Sequence, residues 1–384
     1  MIRVVLALAV LLQPGQRPPL SPAETLLEPV ILRAINEQPS GGVAAAVIDG
    51  TDETAGEILI TCSECEVATR AMQKLHLLIR EKGMPAPART IRRVTAINNE
   101  VAQRARAAIY VAQNNDRPIQ VVRGLWSTAA IGDEVVEIFA RHGGYHVEVR
   151  PFENVGQLRL DHLGVPTTTI VANSTMSNDH AAFVAAASAY FLATLPNSGA
   201  EALLSHLTVG AHARLAEDGR RAVAMMGNQQ RAGGEVLVFF GQAIEREQRR
   251  MRNVERYMPE PVDPMLRSRI VEMEKGITSL WTSIGITSSP FVPAAERLRG
   301  RAGEDRRVAT RASAAAIPGI EPAPALAKLP NVADITYELI SLIDGKRSVS
   351  DIRDLLAAEF GGVPLPAVVD HVERLAKAGA VTLR

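Results

Sequence analysis

The stretch GEILITCSECE, Gly56 to Glu66, decides how this chain is read. Its first half, GEILIT, is a short apolar run with β-branched residues, which predicts a buried strand. Its second half puts Cys62, Ser63, Glu64, Cys65 and Glu66 directly after that strand. In an open α/β sheet this is the edge where ligands bind. The cluster reads as an active site, a metal site or the remains of one.

Working outward, PLSPAETLLEPVILRAIN predicts a helix after a Ser-Pro start. GVAAAVIDGTDETAGEILIT predicts two strands joined by a polar turn. VATRAMQKLHLLIREKG predicts an amphipathic helix closed by Gly83, and TIRRVTAIN a strand. EVAQRARAAIYVAQ reads as helical, RPIQVVRGL as a strand and IGDEVVEIFARHGG as a helix. YHVEVRPF and VPTTTIVAN read as strands, and Asp179 to about Ala224 as Ala-rich helix. GGEVLVFFGQAIEREQRRMRNVERY predicts a long helix, with EVLVFF also suiting a strand. The alternation predicts an α/β fold with a mostly parallel sheet flanked by helices on both faces.

Four regions follow. Residues 1–42 hold an apolar segment and a helix, and 43–283 the α/β domain with a helical extension. Residues 284–330, rich in Pro, Ala and Arg, read as a linker. Residues 331–384 read as a small helical module: DITYELISLIDG, then SVSDIRDLLAAEFGG with a Ser348–Asp351 capping arrangement, then PLPAVVDHVERLAKAGAVTLR ending in a short strand. That outline is winged-helix-like.

Composition bounds the function. Of 384 residues, 47% are hydrophobic and 22% charged, enough apolar material for a sizeable core. Aromatics are 4%, so Ala, Val, Leu and Ile must fill it. Lys+Arg and Asp+Glu are both 42, so no global field draws nucleic acid or an anionic membrane. The local runs RRMRNVER and RGRAGEDRRVATR are expected to be solvated helix faces or linker, and second to meet an acidic partner. Two cysteines are too few for a disulfide-stapled secreted domain. The apolar run Val4 to Leu12 is too short to span a bilayer. It suits a signal h-region without an A-x-A site, a membrane-touching anchor, or a first element of the fold. A cytoplasmic or membrane-peripheral location is expected over secretion.

The words GEILITCSECE, MPAPARTIRRVTAIN and HLGVPTTTIVANS together resemble the bacterial zinc aminopeptidase family, co-catalytic two-zinc exopeptidases of phosphorylase-like α/β fold. The resemblance covers roughly residues 43–225 and 331–384; VERLAKAGAV and IDGKRSVSDI are similar to an appendage on some members and to small peptide-binding winged helices of the carrier type. It implies a first zinc His where this chain has Ser63, and ligand and base glutamates where it has Ala96. Glu100 stands a turn late. The loop that supplies the family's bridging Asp is missing between Glu66 and the helix. For the Ser-Asp-His word there are two candidates, Asp161-His162 and Asp179-His180; His180 also suits the family's Tyr-His-Thr position. Two zinc ions need a bridging carboxylate, about four further ligands and a carboxylate base. The resemblance therefore implies a degenerate member with vestigial Glu64, Glu66 and Glu100.

Cys62 and Cys65 form a C-x-x-C, whose thiolates can share one metal. No second C-x-x-C or H-x-x-H accompanies it, and a redox pair would open a helix, not close a strand. Structural thiols are expected; a metal site with His162 or His180 and a redox pair are the other readings. His142 and His146 are expected at the surface or a sheet edge, and His76, His206, His212 and His371 on helices without partners at ligand spacing. There is no G-x-S-x-G, P-loop or G-x-G-x-x-G. Asp370, His371, Glu373, Arg374 and Lys377 give the last helix a mixed-charge face, which suits protein or peptide docking better than DNA.

The expected function is a non-catalytic, aminopeptidase-like binding or scaffold subunit of a larger protein assembly, without a cofactor, with a membrane-associated complex as one reading of its partners. One alternative is an active zinc aminopeptidase with shifted ligands drawn from Glu64, Glu66, Glu100, Asp161, His162, Asp179 and His180, acting on peptides. Another is a peptide-binding partner in a modification pathway, using the C-terminal module.

Overall fold

The computed structural model describes residues 20–37, 45–62, 65–96, 98–113, 119–126, 128–142, 147–152, 160–172, 178–227, 233–258, 262–283, 305–312 and 320–384. The N-terminal apolar run, Ser63, Glu64, His146 and most of the expected linker lie outside them.

The core is a seven-stranded sheet. Its strands are β1 (Val47–Ile48), β2 (Glu57–Cys62), β3 (Thr90–Arg93), β4 (Ala105–Gln113), β5 (Ile119–Val122), β6 (Val147–Arg150) and β7 (Thr167–Ala172), in the order β1-β3-β2-β4-β7-β5-β6. Strands β3, β2, β4 and β7 run parallel. Strand β1 opposes β3, while β5 and β6 are parallel to each other but antiparallel to β7. The fold is α/β as expected, and the sheet is mixed. The reversal at β5 means that the carboxyl ends of β5 and β6 lie beside the amino ends of the parallel strands.

Strand β2 is buried along its whole length, which is why it reads as a run and not an alternation. Ile58 and Ile60 belong to the large core. Helices α1 (Pro22–Leu26), α2 (Pro29–Asn36), α3 (Cys65–His76, continued by a π turn at Leu77–Glu81), α5 (Gly132–His142) and α6 (Asn178–Thr194) contribute to that core. Leu59 and Ala108 instead join a small cluster with Ala102 of α4 (Asn99–Arg104), Leu160 and Val165. Among the described residues, then, the helices are concentrated on one face.

Two expectations change, and the long helix over GGEVLVFFGQAIEREQ forms as read. The first helix is two, because Pro29 starts a new one after extended Leu27. EVAQRARAAIYVAQ is helical only through Arg104 and then becomes β4, the nine-residue strand that pairs with both β2 and β7. Its alanines resemble helix, but Ile109, Tyr110 and Val111 fit a strand buried on both sides. EVLVFF lies inside a helix.

Beyond the sheet come α7 (Asn197–Gly227), α8 (Gly233–Arg252) and α9 (Pro264–Ser283). The C-terminal unit contains α10 (Val332–Leu342), α11 (Val349–Phe360) and α12 (Leu365–Lys377), with β8 (Ala309–Arg311) paired antiparallel to β9 (Val381–Leu383). Strand β8 falls in the stretch read as linker. The unit has its own core, including Leu339, Leu342, Ile352, Leu356, Val368 and Leu375. The Ser348–Asp351 capping box forms as read. Ala358 of α11 reaches the large core, so the unit packs on the sheet domain.

Candidate functional site

The structure divides the residues singled out in the sequence between two ends of the sheet. Cys62 closes β2 and is buried; Cys65 opens α3. Glu66 is exposed on that first turn, and Arg70 donates to it at 2.7 Å. A hydrogen bond from Asn178 ties it to the start of α6, and these partners hold its carboxyl below the usual range. Asp179 pairs with the buried Lys74 ammonium at 3.1 Å, which also donates to the Glu37 carbonyl at 3.0 Å. His180 is buried beside Phe183; burial lowers its basicity despite a hydrogen bond with the Ala140 backbone. These residues share the carboxyl edge of β2 and β7.

Asp161 and His162 lie in the turn that precedes β7, and Asp179 and His180 follow it. A six-residue strand, about 20 Å long, therefore separates the two pairs. His162 is buried against the C-terminal unit: its ring packs 4.1 Å from that of Tyr337, and its Nε2 lies 3.1 Å from the Tyr337 carbonyl. Its own carbonyl accepts from Arg311. Glu100 pairs with Arg104 at 3.6 Å, and Arg104 with Glu57 at the start of β2. Of the described members of the shifted-ligand set, His162 and His180 thus lie at opposite ends of β7. Lys74 and Arg70 face the Asp179 and Glu66 carboxylates, so these two carboxylates do not by themselves fit a zinc pair. Among the described residues, no group of three or more His, Cys, Asp and Glu side chains is placed to hold a metal.

A dense cluster of charge lies at the opposite edge. A cleft of about 670 Å³ opens between the ends of β5 and β6, helices α7 and α8, and α11 of the C-terminal unit. Its floor is a buried ion network. Arg250 makes two bonds to Asp133, at 2.7 and 2.9 Å. Arg214 meets Glu247 at 2.8 Å and Glu134 at 3.0 Å. Arg246 meets Asp218 at 2.9 Å and Glu247 at 2.6 Å. Burial alone would raise the Asp133 and Glu247 carboxyls; the arginines, Arg250 on Asp133 and Arg246 with Arg214 on Glu247, hold both below the ordinary range. The Arg246 guanidinium also stacks 4.2 Å over the Trp126 ring.

Arg123 and Arg150, from the ends of β5 and β6, form a wall of the cleft, and Arg220 and Arg221 lie on its α7 side. Burial lowers the Arg123 guanidinium from its usual range, with Asp133 opposing. Its backbone N–H donates to the Arg150 carbonyl at 3.0 Å, while among the described residues its guanidinium makes no hydrogen bond or ion pair. The wall loop is strained: Ala129 has φ 45°, and Asn253 pins the Thr128 and Ala129 carbonyls at 3.1 and 2.8 Å. From the C-terminal unit, Glu359 accepts from the Trp126 backbone N–H at 3.3 Å. Burial and the nearby Glu338 carboxyl push Glu359 well above the usual carboxylate range.

This cleft was missed in the sequence, and RRMRNVER is not a solvated face throughout, since Arg250 is buried. The signal was nevertheless present. On α8 the apolar stripe Phe240, Ala243, Ile244, Met251 carries Glu247 at a core position. A buried carboxylate there demands cationic partners. His142 is exposed as expected, and His371 is buried within the C-terminal unit, not on a docking face.

No protein-family model matches the chain, and no curated protein matches it. A solved structure described as a "putative peptidase" from Clostridium acetobutylicum is similar at 12% identity and a TM-score of 0.25. The match covers 88% of this chain and 59% of that one, so the chain spans less than two thirds of its length. Identity and TM-score are both too low to carry an activity or a ligand across. Among the described residues, no helix is long and apolar enough to cross a membrane.

Proposed function

We propose that the chain is a non-catalytic binding protein of aminopeptidase-like descent, serving as a scaffold subunit in a protein assembly. The supporting observation is the placement of Asp161-His162 and Asp179-His180 at opposite ends of β7. Ser63 and Ala96, where the family resemblance asks for a His and a carboxylate, support the same reading. The residues left at the carboxyl edge do structural work: Lys74–Asp179 and Glu66–Asn178 tie α3 to α6.

The test is the size of the protein in native extracts. A complex larger than the chain is expected; a free monomer without a stable partner contradicts the proposal. The rival reading, a zinc aminopeptidase with shifted ligands, draws on Glu66, Asp179 and His180, the described members of that set that share one edge. It requires zinc near stoichiometric amounts. Peptide docking through the C-terminal unit is the third reading; a pull-down with peptides and full-length protein, repeated after substitutions on the α12 face, separates it from the scaffold role.

A further inference from the structure

We propose that the arginine-lined cleft is a binding site for an oxyanion, a carboxylate or phosphate group carried on a small molecule. This goes beyond the scaffold reading and does not depend on it.

Charge is the first support. Seven arginines line the cleft. Five carboxylates line it or pair with its floor: Asp133, Glu134, Glu217, Asp218 and Glu247. Glu359 is the sixth, and its raised affinity for a proton reduces the charge it adds. Among the described residues a surplus of one to two positive charges remains in a partly enclosed space. Desolvated positive charge without a counterion is costly, and a bound anion would supply it.

Geometry is the second support. The floor arginines are locked by bidentate and bridging carboxylates, so the wall above them is preorganised. Arg123 lies in that wall, half-buried and with no ion-pair partner among the described residues. Arg150 is beside it, and its Nη1 donates to Gln120 at 3.3 Å. The cationic lining contains arginine and no lysine. Arginine's planar fork meets carboxylate and phosphate oxygens two at a time. Trp126 and Phe152 give the same cleft an apolar side, and 670 Å³ falls within the usual range for small-molecule sites. The strained turn at Ala129 lies in this lining, as strain at binding sites often does.

The experiment uses the full chain, with inorganic phosphate and succinate as probes at matched ionic strength against sodium chloride. Calorimetric titration and thermal unfolding are both read. At least one dianion should bind and raise the melting temperature with concentration, as a ligand of the folded state must. Binding should weaken as salt is added. Arg123→Gln should weaken it roughly tenfold or more, the usual scale for losing a charge-assisted hydrogen bond. If that variant does not fold, Arg220→Gln and Arg221→Gln, on more exposed side chains, should together weaken binding about threefold. Binding of phosphate alone points to a phosphate ester, and of succinate alone to a carboxylate ligand; either supports the site. The proposal is overturned if neither dianion binds better than chloride, or if the folded arginine variants bind as tightly as the parent.

Discussion

Glu247 shows most clearly what a single residue does here. It lies on the apolar stripe of α8, fully buried, and meets both Arg214 and Arg246. Removing one partner of a buried ion network leaves uncompensated charge, typically a loss of about 3–5 kcal/mol. Glu247→Gln should therefore lower unfolding free energy by roughly that amount in a denaturant titration. A loss below about 1 kcal/mol, the scale of a surface pair, would contradict the buried network. Ala129 makes the opposite case. Its φ of 45° disfavours any side chain, so Ala129→Gly should leave stability unchanged or raise it by up to about 1 kcal/mol. Glu359 should also respond upward. A carboxyl held above its ordinary value costs stability once pH exceeds that value, because the unfolded chain gives up the proton more readily. Glu359→Gln should thus stabilise the protein at neutral pH and have little effect near pH 4, which paired melts at the two pH values will show.

At the scale of elements, acid should unfold the protein in two stages. Burial holds His180 and His371 below their ordinary value. Their folded forms stay neutral, so stability is complete above about pH 6.5 and declines as pH falls through that value and the unfolded chain takes up protons. Asp133 and Glu247 are held below the ordinary carboxylate range, so their contribution persists above about pH 4 and is lost as pH falls further. In the Glu359→Gln protein, which lacks the opposing titration of Glu359, stability measured from pH 8 to pH 3 should show both declines; a flat profile from pH 7 to pH 5 in that background would contradict the neutral histidines. The elements were legible in the sequence where pattern and propensity agreed. The fully buried β2, the Ser348 capping box and the Gly-terminated α3 segment are examples. They were not legible where composition misled. The alanines of Ala105–Ala112 hide β4, because helix propensity is a local quantity and pairing with β2 and β7 is not. The candidate site was legible only as a list of residue types. Which end of β7 each Asp-His pair occupies follows from strand direction, and the reversal at β5 that creates the arginine cleft has no signature in either strand.

At the scale of the molecule, two ends of one sheet have separate characters. The carboxyl edge of β2 and β7 retains Cys62, Cys65, Glu66, Asp179 and His180, with its carboxylates held by Arg70, Asn178 and Lys74. The amino edge gathers arginines from the sheet and helices under the C-terminal unit. Zinc content and peptidase activity, measured together on purified folded protein grown with zinc, test the non-catalytic reading most directly. Expected are well under one zinc per chain and no release of N-terminal residues from chromogenic amides. Near-stoichiometric zinc with hydrolysis that a chelator abolishes would contradict it.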